Sequence, residues 1–186
     1  MDILKKNFFE LFNLDISIDI NKSELDERVK ILQSKFHPDK YASGSDLEKR
    51  LALQISSHVN DGHKILSDVV LRIEYILKIN NFIKDESKTI DDINFLQEQI
   101  EYNELVESLK ENNNNDLIDR HLENVKALLK ETIDNIKLSF KSKDFENMWQ
   151  NLSKLRFYIK NINELVKMRL TWAYLKYQIP PSLMMN

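Results

Sequence analysis

Only two glycines and three prolines punctuate 186 residues, and two of those prolines, Pro180 and Pro181, stand together near the end. Tight turns and hairpins draw on glycine's positive φ or proline's fixed φ, so a turn-rich β fold is disfavoured and long helices are expected. Hydrophobic residues make up 42% of the chain, enough for a core, and the expected class is all-α. Cysteine is absent, which removes disulfides, thiolate metal sites and a cysteine nucleophile from consideration. A formal net charge of −3 disfavours a generic nucleic-acid binder, which needs a basic surplus to neutralise phosphates. The opening MDILKKNFFELF has no apolar run of signal-peptide length, and no stretch has the length of a membrane span. The expectation is a soluble cytoplasmic protein.

Hydrophobic spacing organises the chain into two parts. Leu4, Phe8, Leu11 and Phe12 suit a short amphipathic helix. Ser23 is the expected N-cap of a second helix, whose Leu25, Val29, Leu32 and Phe36 recur at four, three and four residues and share a face. Pro38 ends it, because the residue before a proline is pushed out of the α region. A loop through Ser43-Gly44-Ser45, expected to be flexible, leads to a third helix from about Asp46, with Ala52, Ile55, Val59, Gly62 and Leu66 inward. A helix from Val70 to Ile79 completes a unit over residues 1–80. After a polar break near 84–88, three long patterns predict an antiparallel three-helix bundle over 88–176, with a tail at 177–186. They run from about Ile90 to Lys110, Asp116 to Lys141, and from Asp144 through Met148, Leu152, Leu155, Ile159, Ile162 and Val166.

Two features exceed what a core requires. The first is KFHPDKY, Lys35 to Tyr41, which sets a histidine and an aspartate around a proline at the end of a basic helix. Catalysis would need a pocket and further reacting groups, and no serine or second histidine stands beside the motif in a recognisable arrangement. His58 and His63 are five apart, not the four that places two metal ligands on one helical face. A rigid loop for gripping a protein fits better, bordered by Arg28, Lys30, Lys35 and Lys40. The second feature is a surplus apolar face. At about 100° per residue, Phe95, Tyr102, Leu105, Val106 and Leu109 form one stripe, while Ile93, Leu96 and Ile100 fall opposite, beside Gln97, Glu101 and Glu104. Ile93 and Leu96 are open to packing on the first part or to serving a partner; Leu96 and Ile100 beside carboxylates favour the partner. Phe157 falls off the core face of the last helix and gives a similar signal, open to being an incidental exposed aromatic or part of a contact surface. From Asp85 to Glu111 nine acidic residues face only Lys88 and Lys110, so the two parts carry opposite local charge suited to different partners.

Helix, basic helix, His37-Pro38-Asp39 loop and antiparallel helix together resemble a J domain, the module through which co-chaperones stimulate DnaK-type ATPases. FHPDKYASGS (36–45), RIEYIL (72–77), FLQEQIE (95–101) and KLRFY (154–158) extend the likeness to the bacterial iron–sulfur co-chaperone family HscB, in order along nearly the whole chain. The resemblance implies an adaptor, not an enzyme, without cofactor or metal. His37, Pro38, Asp39 and the neighbouring Arg28, Lys30, Lys35 and Lys40 would engage the chaperone HscA. Leu96, Gln97, Ile100, Glu101, Glu104 and Phe157 would hold the scaffold protein IscU. Neither nucleic acid nor membrane is an expected partner. Gln97 and Ser108 depart from the family's apolar and acidic residues, Gly62-His63 from its small residue plus aromatic, and Val69 from a common proline; Gly62 is expected to loosen the third helix. A general J-domain co-chaperone for unfolded clients, or a helical interaction protein with a silent J-like domain, are the rival readings.

Overall fold

The structure, a computed structural model, describes residues 3–83, 93–112 and 114–177. The expected polar break at 84–88, the first turn of the helix expected from Ile90, and the tail beyond Tyr177 lie outside the described residues. Among the described residues the regular structure is helical throughout, and the chain is all-α. Within them seven α-helices follow one another: α1 (Phe8–Leu11), α2 (Lys22–Phe36), α3 (Asp46–Ser67), α4 (Val69–Ile79), α5 (Ile93–Asn112), α6 (Asn115–Ser142) and α7 (Phe145–Tyr177). They divide into two compact units, Met1–Ile83 and Lys84–Asn186.

In the first unit α1 packs across the α2–α3 hairpin, and Phe9, Phe12, Leu25, Val59, Leu66, Ile73 and Ile76 are buried. α2 begins two residues earlier than Ser23 would make it. The Asn21 side chain accepts from the backbone N–H groups of Ser23 and Glu24, so asparagine takes the capping role and Ser23 lies inside the helix. All five inward residues expected of α3 are buried. The helix runs unbroken through Gly62. A Cβ built there would lie 2.8 Å from Phe8 Cδ1 and 2.9 Å from Phe12 Cε2, so the missing side chain is what lets α1 seat on α3. His63 Nε2 lies 2.8 Å from Asp26 Oδ1, and Gln33 Nε2 donates to Asn60 Oδ1 at 2.9 Å, two polar ties across the hairpin. Gly62→Ala is therefore expected to lower the melting temperature by several degrees, measured by circular dichroism. Overpacking costs about 1–3 kcal/mol, against a helix-propensity gain of at most about 1 kcal/mol.

Arg72, 9% exposed, donates from Nη1 to the carbonyl of Leu66 in the last turn of α3. Asp68 begins α4 by accepting from the N–H groups of Val70 and Leu71. Val69 is thus the first helical residue, the position at which proline is tolerated because its missing donor would be unpaired anyway.

In the second unit α6 and α7 form an antiparallel hairpin. It turns at Lys143, whose φ of 59° closes α6, and Asp144 accepts from Asn147 N–H to open α7. α5 runs parallel to α7, since Glu98 meets Tyr158 and Tyr102 meets Asn161 further along both helices. Phe95, Tyr102, Val106, Leu109, Ile118, Leu122, Val125, Tyr158 and Leu165 form the shared core. The inward stripe of α7 departs from the expected one: Leu165 is buried where Val166 was expected, and Val166 is exposed. The helix faces two neighbours at once, which rotates its buried arc from Leu152 and Leu155 toward Tyr158, Asn161 and Leu165.

Candidate functional site

Two surfaces, one on each unit, gather the residues that the sequence sets apart. On the first unit, His37 closes α2 and opens a 3-10 turn over Pro38–Tyr41. Proline suits that opening because its fixed φ is helical and no donor is wasted. Asp39 N–H donates to His37 Nδ1 at 3.3 Å, Lys40 N–H to the His37 carbonyl at 3.0 Å, and Tyr41 Oη to the Lys35 carbonyl at 3.4 Å. The Ser43–Ser45 stretch is built into the same structure rather than left loose. Gly44 N–H donates to the Tyr41 carbonyl, and Ser45 and Glu48 form a reciprocal capping box that starts α3. Hydrogen bonds from Ser45, first from its side chain and then its backbone, hold the Glu48 carboxyl below its ordinary value. The loop's shape is thus set by its own polar contacts. Its two polar side chains stay outside, His37 at 56% and Asp39 at 91% side-chain exposure.

The basic residues divide into two flanks, because Arg28 and Lys30 are about 160° apart around the helix. Lys30 lines a shallow depression with Gln33, Ser34, His37, Asp39 and Lys40. On the other flank Arg28 Nη2 lies 3.5 Å from Glu24, and Lys35 sits over the Phe36 ring. Ile31, not singled out by the sequence reading, shares that second flank and is 56% exposed. Its signal was present: it falls outside the Leu25, Val29, Leu32, Phe36 spacing.

On the second unit, α5 presents Leu96 at 47% and Ile100 at 60% exposure, with Ile93 also exposed. Gln97, Glu101 and Glu104 are exposed beside them, and Gln97 Nε2 donates to Glu101 Oε1 at 2.9 Å. These side chains face outward because the opposite side of α5 is consumed by the core. Phe95 and Tyr102 bury there, Tyr102 donates to the Asn161 carbonyl at 3.1 Å, and Tyr158 donates to Glu98 Oε2 at 3.0 Å. Burial, and secondarily Glu164, pushes the Tyr102 phenol up, which keeps it a neutral donor.

Phe157 departs from its expected place. It does not point away from the bundle; it meets Phe95 edge-on at 5.3 Å and Tyr102 at 5.7 Å, half-buried at the α5–α7 seam. A helix with two neighbours needs two apolar faces, and Phe157 serves the one toward α5. The effect is to bring it beside Phe95, the chain neighbour of Leu96. Among the described residues no cluster of metal-ligating side chains occurs, and no helix is long and apolar enough to cross a membrane.

The profile of the family described as "HSCB C-terminal oligomerisation domain" matches residues 91–166. The co-chaperone protein HscB homologue of Colwellia psychrerythraea is 31% identical over 83% of this chain and 91% of its own length. That of Shewanella amazonensis is 41% identical over 55% of this chain, a match that spans 60% of the relative. Among solved structures, the chaperone HscB from Vibrio cholerae superposes with a TM-score of 0.77 at 27% identity, covering 87% of this chain and 96% of that one. The human co-chaperone protein HscB gives 0.74 at 30% identity, covering 94% and 84%.

Proposed function

The chain belongs to the HscB co-chaperone family, and we propose that it couples an iron–sulfur scaffold protein of the IscU type to a DnaK-type chaperone of the HscA type. In this reading the first unit is a J domain that docks on the chaperone and stimulates its ATPase through His37, Pro38, Asp39 and the basic residues Arg28, Lys30, Lys35 and Lys40. The second unit holds the client on Leu96, Gln97, Ile100, Glu101, Glu104 and Phe157. The protein is an adaptor without chemistry of its own, working in the bacterial cytoplasm. Hydrolysis in the chaperone then traps the client that the adaptor has delivered.

The observation that carries the reading is the separation of the two surfaces onto two compact units. One displays an exposed imidazole and carboxylate on a self-capped turn, the other an exposed apolar pair beside carboxylates. An apolar centre with a charged rim is the anatomy of a specific protein contact. The test is calorimetry with purified IscU. Leu96→Ala/Ile100→Ala is expected to weaken binding at least about thirtyfold, since each truncation withdraws on the order of 1–2 kcal/mol of apolar burial. It should leave the melting temperature within about 2 °C, because both side chains are largely solvated in the free protein. Failure of the unaltered chain to bind IscU would refute the client assignment.

A further inference from the structure

Beyond the Leu96–Ile100 pair, the same side of α5 runs into a groove against α7. Asn103 and Glu107 follow Ile100 at three and seven residues and continue its stripe. The groove has a volume of about 600 Å³ and is floored by buried Val106. Lys110 lines it from α5, Lys160 and Lys167 from α7. All three lysines are exposed. Glu107 and Glu164 also line it, at helical spacings from these lysines that permit ion pairs. Among the described residues, none of the three ammonium groups closes one. Glu164 is instead half-buried, its field falling on the Tyr102 phenol.

A partner that covers unpaired ammonium groups must replace the water it strips from them, and carboxylates do so best. The opposite border of the Leu96–Ile100 pair carries Glu101 and Glu104 and makes the reverse demand. The exposed face is therefore unevenly charged: carboxylates border Leu96 and Ile100 on one side, and the groove beyond them carries three lysines against Glu107 and the half-buried Glu164.

We propose that the lysine groove is the second electrostatic border of the client-binding face. The client segment that covers Leu96 and Ile100 places carboxylates against Lys110, Lys160 and Lys167, and a cation toward Glu101 and Glu104. This rests on the client-binding reading above and adds to it the client's chemistry: an apolar patch with an acidic flank, held in one orientation because the reversed one sets like charges together.

The test is calorimetry with purified apo-IscU at about 50 mM and 500 mM salt, where screening lengths differ about threefold. Lys160→Glu/Lys167→Glu is expected to weaken binding about tenfold at low salt, with most of the loss gone at high salt. Lys126→Glu/Lys130→Glu, which makes the same net-charge change on α6 away from the groove, should bind within about twofold of wild type. Equal affinities for the two double variants would overturn the groove's role. If Leu96→Ala/Ile100→Ala still loses binding in that case, the client-binding reading stands without it; if that variant also binds normally, both fail. Circular dichroism of each variant separates loss of contact from loss of fold.

Discussion

Stimulation of the DnaK-type ATPase is expected to fall to background in His37→Gln, while affinity for IscU stays within about twofold of wild type. His37 is a good place for such a separation because its side chain contributes little to the fold. The ring is mostly solvated, and its one backbone contact, from Asp39 N–H at 3.3 Å, is long. Losing an exposed hydrogen bond of that kind moves stability by about 0.5 kcal/mol or less. The His37 carbonyl still accepts from Lys40, and Pro38 still fixes the start of the turn, so the loop keeps its course. What changes is the group displayed on the turn: a flat ring becomes a flexible amide. Asp39→Asn, which removes charge at a side chain 91% exposed, is expected to behave alike. Undiminished stimulation by either variant would refute the role given to the loop.

The largest effect on stability is expected at Arg72→Ala, at about 3 kcal/mol in urea unfolding of the first unit. Two losses add. The charge-assisted bond to the Leu66 carbonyl disappears, which leaves an acceptor of the last α3 turn unpaired and costs about 1–3 kcal/mol. A long side chain, 9% exposed, is also cut back, and its packing is lost with it. Burial lowers the Arg72 pKa, while the charges of Asp19 and then Asp68 act against that. Arg72→Met separates the losses. It restores most of the volume and removes the buried charge, so about half of the effect should return. Both tryptophans, Trp149 and Trp172, belong to the second unit, so far-UV circular dichroism is the appropriate probe. Wild-type stability for Arg72→Ala would show that the α3–α4 junction does not depend on this contact.

The helical class and the order of helices were legible because breakers are scarce and the apolar spacing is regular over long runs. The α3 core face was read residue by residue, since its buried residues all fall on one apolar stripe, although α1, α2 and α4 all pack against this helix. α7 was harder for the opposite reason. A helix with two neighbours carries two stripes that merge, so Phe157 looked outward and Val166 inward when the structure has the reverse. The start of α2 was ambiguous because Asn21 and Ser23 are comparably good caps, and the path of the preceding chain decides between them. Gly62 looked like a weakness from helix propensity alone. Its purpose depends on Phe8 and Phe12, some fifty residues away, and a contact at that separation leaves no trace in local pattern.

The Asp39 amide that points at His37 Nδ1 also bears on which hydrogen the imidazole shows to the outside. A neutral ring whose Nδ1 accepts from the Asp39 amide must carry its proton on Nε2. The loop therefore offers a donor at the ring's outer edge and an acceptor at the Asp39 carboxylate, side by side. A complementary surface must bring the reverse pair, an acceptor and a donor at matching separation.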